Sequence, residues 1–160
     1  MGVLRIERVE VGPERIEALV RVCDREMART SSVPGLAPRA LALLPGLARH
    51  TCENGSAHGH VAELADTELP HLLEHIACEL MALSGSPRSL RGETAWDFAT
   101  DGVGVYRVRL AYDDDLVALG ALRSGADIVE WLCAGGGETP DVDAIGARLH
   151  AVRDRTARTL

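Results

Sequence analysis

His71, Glu74 and His75 stand in the order H-x-x-E-H within the run L-P-H-L-L-E-H-I-A-C-E-L-M-A-L, residues 69–83. On an α-helix, positions i and i+4 share a face about 6 Å apart, so both histidines can reach one metal ion. Glu74 falls at the edge of that face. A carboxylate there is placed to act on a metal-activated water rather than to bind the metal. The order inverts the H-E-x-x-H zinc motif, in which two histidines are ligands and the glutamate is the general base. Histidine pairs at this spacing also occur on helices that bind nothing. Here Leu72, Leu73, Ile76, Leu80 and Leu83 surround the pair, so the helix is expected to be largely buried. Buried ionisable groups need partners, and a metal is one.

The H-x-x-E-H order marks the inverzincin peptidases. A catalytic zinc usually has three protein ligands and a water. Glu79 is the first candidate for the third. From i to i+8 a helix rises about 12 Å, so Glu79 must lean back a full turn, or else accept a histidine N–H from outside the ligand set. His50 and Cys52, in the preceding segment R-H-T-C, and Glu130, on a later helix, are the other candidates. Residues 49–60 hold three of the six histidines; His58 and His60 fit a site-lining loop and a solvated loop equally. Glu74 would take a proton from the attacking water and pass it to a leaving amine. Arg88 and Arg91 are placed to meet a substrate carboxylate, and Asp101 a basic group. Asp97 and Asp113 to Asp115 can also meet a basic group, although the aspartate run more simply caps a helix.

These residues need elements to carry them. Val3 to Val11 alternates apolar and charged residues and predicts a half-exposed strand, broken by Gly12-Pro13. Ile16, Leu19, Val20, Cys23 and Met27 recur at helical spacing and predict an amphipathic helix over 14–29. Residues 30–38 read as a loop, 40–47 as a short apolar helix or turn, and 61–64 as a short strand or turn. Pro70 in the first turn and Gly85 with Pro87 beyond the end bound the central helix. Residues 94–100 and 104–112 alternate with period two around Asp101-Gly102, a hairpin signal. A helix over 116–133, a glycine break at 135–137 and a last helix ending near Arg158 complete the chain. The order predicts an α+β fold, a mainly antiparallel sheet with helices on one face, in one compact domain spanning 1–160.

Length and composition agree with a single globular domain: 160 residues, 46% hydrophobic and 26% charged. All 17 basic residues are arginine, a usage expected of a high-GC bacterial genome. The net charge of −7 argues against general nucleic-acid binding, which needs a basic face. No apolar run reaches the 18 or so residues that cross a bilayer. Cys23, Cys52, Cys78 and Cys133 contain no C-x-x-C, and no signal peptide is evident. Free thiols and a cytoplasmic location are therefore expected.

Four segments carry a resemblance: L-L-P-G-L-A-R-H-T-C (43–52), the following G-H-V-A-E-L, H-L-L-E-H-I-A-C-E-L-M-A-L-S-G (71–85) and G-V-Y-R-V-R-L-A-Y (104–112). In order and spacing they resemble the N-terminal domain of cyanophycin synthetases, over about residues 40–133. That family polymerises aspartate and arginine with ATP, through ATP-grasp and Mur-ligase-like domains. Neither fits in 160 residues, and no G-x-x-x-x-G-K-[ST] loop is present, so the resemblance implies a free-standing version of the first domain without synthetase activity. It further implies a metallohydrolase of the pitrilysin type, with His71 and His75 as zinc ligands and Glu74 as base, cleaving an Asp/Arg polymer. Other members use the domain as a non-catalytic, polymer-binding platform. The expectation is thus a zinc-dependent hydrolase of peptide or isopeptide bonds in Asp/Arg polymers or related peptides. Against it stand a polymer-binding or scaffold module and a small-molecule metalloenzyme. The expected partner is the peptide or polymer, without nucleic acid or membrane, and a homo-oligomer is left open.

Overall fold

A computed structural model of the chain describes residues 2–52 and 60–159. Strands β1 (Leu4–Val11) and β2 (Arg15–Val22) form an antiparallel hairpin with Leu4 opposite Val22 and Val11 opposite Ile16. Strands β3 (Gly92–Ala95) and β4 (Val105–Ala111) join them in the order β1-β2-β4-β3, and every neighbouring pair is antiparallel. Around the sheet lie α1 (Leu36–Leu43), α2 (His60–Leu64), α3 (Leu69–Leu83), α4 (Phe98–Asp101), α5 (Asp115–Ala134) and α6 (Val142–Thr159). A 3-10 turn, Pro45–Arg49, follows α1.

The sheet has two chemically different faces, as a period-two strand requires. Ile16, Ala18 and Val20 of β2 and Val108 and Leu110 of β4 are fully buried on one face. They share a core with Leu72, Leu73, Ile76 and Leu80 of α3 and with Val117, Ala121, Ile128 and Leu132 of α5. The other face is charged: Glu17 stands opposite Arg109, and Arg21 pairs with Glu7 at 2.6 Å. The fold is the α+β class expected, an antiparallel sheet with helices on one face, packed as a single compact domain.

Four elements differ from the sequence expectation. Residues 15–22 form β2, not a helix, with short 3-10 turns at Arg25–Met27 and Thr30–Ser32 beyond it. The run R-I-E-A-L-V-R-V satisfies both periods, because Ala18 and Leu19 are both apolar. Pairing on both sides, with β1 and β4, decides for the strand. Residues 61–64 lie in the helix α2. The strand expected over 94–100 is confined to 92–95. Residues 98–101 turn into α4, because Asp97 caps it by accepting hydrogen bonds from Thr100 N and Thr100 Oγ1. Asp101-Gly102 therefore ends a helix instead of turning a hairpin.

Helix α3 is the centre of the molecule, with twelve of its fifteen residues buried. Its start is tied to the segment before α1: Leu69 N donates to Ala28 O, Thr30 N to Thr67 O and Thr67 N to Thr30 Oγ1. Its end is a Schellman turn, in which Gly85 (φ 105°) allows Ser86 N to reach Met81 O and Gly85 N to reach Ala82 O. Burying each of Leu72, Leu73, Ile76 and Leu80 contributes about 2 kcal/mol. That rigid, dry setting holds the polar groups of the same helix in place.

Candidate metal centre and groove

His71 and His75 project from consecutive turns of α3, and their Nε2 atoms lie 3.1 Å apart. Cys52, which follows the Pro45–Arg49 turn, brings Sγ to 3.1 Å from His75 Nε2 and 3.7 Å from His71 Nε2. The three ligand atoms fall within 4.8 Å of one another. Tetrahedral arms of about 2.0 Å to nitrogen and 2.3 Å to sulfur would separate ligand atoms by roughly 3.3–3.6 Å. The donor set thus fits zinc both in chemistry and in spacing.

The environment of these groups follows from burial. Burial lowers the pKa of His71, which favours the neutral ring that a metal requires. His71 Nδ1 meets Thr67 Oγ1 at 2.8 Å, and that hydroxyl donates onward to Glu68. The Thr67 contact orients the ring, whose Nε2 faces Cys52. Burial, together with a hydrogen bond to Glu63 and the charges of Glu63 and Glu74, pushes the Cys52 thiol up to about 12. Metal uptake at neutral pH would release that proton.

Glu74 lies beside the cluster, with Oε2 4.0 Å from His71 Nε2. Thr94 Oγ1 of β3 donates to it at 2.7 Å. Gly92 leaves room for it, since a Cβ there would come within 2.5 Å of Oε1. Burial pushes Glu74 up to about 7 against the opposing effect of the Thr94 hydrogen bond.

Glu79 is not among the three clustered ligand atoms. Its carboxylate is one turn further along α3, bonded to His50 Nε2 at 2.7 Å and Arg88 Nη1 at 3.0 Å. Burial works against ionisation, but the hydrogen bonds from His50 and Arg88 hold Glu79 down to about 2. The helical rise explains the separation: a side chain one turn beyond His75 reaches outward to Arg88 more easily than back. Glu130 is elsewhere, accepting Val3 N and Leu4 N at 2.9 and 2.8 Å and tying the N-terminal segment to α5. Asp101 is bound by Arg107 at 2.6 and 2.7 Å and does not line the groove among the described residues. His58 lies outside the described residues.

The cluster sits in the wall of a groove of about 950 Å³ between α3 and β3. Arg88 and Arg91 line it. Arg15, Arg49 and Arg109 also line it, so five arginines face three glutamates, Glu68, Glu74 and Glu93. Arg88 is paired with Glu79 and Arg109 with Glu17 and Glu93, so the lining is mixed in charge. Trp96 stands at its mouth, 55% exposed, with its ring 5.8 Å from that of Tyr106 and 6.4 Å from that of Phe98. Three of the five aromatic residues in the chain gather there. The residues that sequence analysis passed over are Glu63, Thr67, Thr94, Gly92 and Trp96. Thr67 alone had a local signal, one helical turn before His71.

Among the described residues no helix is long and apolar enough to cross a membrane. All four cysteines are free thiols.

Residues 18–134 match the family model described as the cyanophycin synthase-like N-terminal domain. The chain is also 32% identical over 87 residues to the cyanophycin synthetase of Synechocystis sp.. That match covers 54% of this chain and 10% of the relative, so the chain corresponds to a small part of that protein.

Proposed function

Because the chain belongs to the cyanophycin synthase-like N-terminal domain family, we propose that it binds an aspartate/arginine polymer, or a related peptide, in the groove along α3. The mixed-charge lining of the groove, with Trp96 beside it, carries this reading. A polymer of that kind presents carboxylates and guanidinium groups in alternation. Groove arginines such as Arg91 can pair with the carboxylates through paired N–H bonds. Trp96 offers a flat π face on which a guanidinium can stack. Titration of the chain with soluble Asp/Arg polymer, followed by calorimetry, tests it. Saturable binding is expected; the absence of heat and of co-sedimentation would overturn the reading.

A second reading is zinc-dependent hydrolysis of peptide or isopeptide bonds in the same polymer. The convergence of Cys52, His71 and His75 beside Glu74 favours it. Those three residues would hold the zinc, which when bound supplies a Lewis acid for the scissile carbonyl and an acidified water. Glu74, held by Thr94 and seated on Gly92, would accept the water proton and return it to the leaving amine. A carboxyl that titrates near 7 is matched to both halves of that task. Release of new free amines from the polymer by the zinc-loaded chain is the test. Binding without release leaves the chain as a binding module.

A further inference from the structure

We propose that the outer edge of β1 is a homodimer interface, at which the strand pairs antiparallel with β1 of a second copy of this chain. β1 ends the sheet, and among the described residues no strand pairs with its outer side. Hydrogen bonds at its two ends show which backbone groups face outward. Cys23 N donates to Val3 O, and Gly12 N donates to Arg15 O. Hydrogen-bonded and non-hydrogen-bonded positions alternate along an antiparallel pair. Counting inward from both ends, with the bulge between Ile6 and Arg8, Leu4, Ile6, Val9 and Val11 turn their N–H and C=O groups away from β2. Their side chains share the core face of the sheet, opposite Val22, Val20, Ala18 and Ile16. Arg5, Glu7, Arg8 and Glu10 lie on the charged face.

This pattern is complementary to itself. With a two-fold axis between Glu7 and Arg8, Leu4 meets Val11 of the second copy, Arg5 meets Glu10, Ile6 meets Val9 and Glu7 meets Arg8. Each charge faces its opposite, and each apolar residue faces an apolar one. Cross-strand pairs of both kinds stabilise an antiparallel sheet. Sliding one strand by two positions sets Arg5 against Arg8, or Glu7 against Glu10, so the register is selected by charge. Bulges and charges commonly protect an edge from pairing. Here the bulge lies on the axis and shifts the alternation equally in both copies, so core face meets core face on either side of it. Ile6 and Val9 are then the residues that exchange backbone hydrogen bonds. Leu4 N is held by Glu130 Oε1, so at the ends Val11 N of one copy reaches Leu4 O of the other. Val11 is 49% exposed although Ile16 opposite it is fully buried, and Leu4 of the second copy covers it. β3 and the groove lie at the other edge of the sheet, so this pairing leaves both grooves open.

Sedimentation equilibrium of the purified chain, from micromolar to submillimolar concentration, is expected to show a monomer–dimer equilibrium. A chain that stays monomeric throughout overturns the proposal. Arg5→Glu and Glu10→Arg change largely exposed side chains and set like charges at both Arg5–Glu10 contacts. Each is expected to weaken the dimer by about tenfold or more. Mixed in equal amounts, the two variants are expected to form a heterodimer of near wild-type affinity, because every such contact is again between opposite charges. Val9→Pro removes an outward N–H without breaking a bond to β2, and is expected to abolish the dimer while the monomer stays folded by circular dichroism. Hydrogen exchange identifies the surface: the amides of Ile6, Val9 and Val11 are expected to gain protection as concentration rises. A dimer that both charge variants leave unchanged, that mixing them does not restore, or in which those amides gain no protection uses another surface and overturns the proposal.

Discussion

Cys52 Sγ and His75 Nε2 lie 3.1 Å apart, although the two residues come from a turn and a helix 23 positions apart. The contact turns a two-histidine helix face into a three-donor cluster. Zinc added to the purified chain is accordingly expected to bind at about one ion per chain by elemental analysis. His71→Ala, His75→Ala and Cys52→Ala should each lose it, while Glu130→Ala keeps full occupancy. Retention of zinc in either histidine variant would remove the cluster from consideration.

Glu74→Gln keeps the size of the side chain and its contact with Thr94 but cannot take up a proton. It is expected to fold, to hold zinc and to bind polymer as wild type does. If the chain is a hydrolase, amine release should drop by 10²–10⁴-fold, the usual share of a general base. Equal cleavage by variant and wild type at matched zinc loading would make Glu74 a structural residue.

Polymer affinity should depend on groove residues other than Cys52, His71 and His75. Trp96→Ala and Arg91→Ala are each expected to weaken binding at least fivefold, about 1 kcal/mol, the lower bound for an aromatic or arginine anchor. Asp101→Ala, away from the groove lining, should leave binding unchanged. A reversed order would move the binding surface to the open face of the sheet.

Glu79 predicts a pH dependence of stability. Its pKa is depressed from 4.5 to about 2 in the folded chain by His50 and Arg88. A depressed carboxylate stabilises when ionised, so its contribution is complete above about pH 4.5 and disappears as pH falls through about 2. The Tm gap between wild type and Glu79→Gln, followed by circular dichroism, should therefore narrow across that window. A gap that is constant with pH would show that Glu79 is not ionised against these partners.

Gly92→Ala places a methyl within 2.5 Å of the Glu74 carboxylate. Overpacking of this sort costs about 1–3 kcal/mol. A lower Tm is expected, with zinc occupancy retained because the cluster itself is not touched. An unchanged Tm would mean that Glu74 can move aside freely.

The legible parts of this molecule were local in the chain. Helix α3 announced itself through Pro70, Gly85 and its apolar face, and the histidine pair came with it. Strand β2 was misread because Ala18 and Leu19 let one segment satisfy two periods; only its neighbours β1 and β4 resolve the choice. Glu79 was drawn to the metal by its place on the helix face, but Arg88 and His50, which hold it, are contacts that spacing does not encode. Thr94 and Gly92 reach Glu74 only through the packing of β3 on α3. Cys52 was identified as a candidate without the geometry that joins it to His75.

The burial of Cys52 has a consequence for redox chemistry. Reaction with peroxides or disulfides proceeds through the thiolate. With the thiol pushed up to about 12, the thiolate fraction at neutral pH is on the order of one in 10⁵. An ordinary surface cysteine ionises thousands of times more readily. The sulfur of the metal-free chain is therefore expected to react with peroxide or disulfide reagents more slowly than an exposed cysteine, so that the donor set stays reduced.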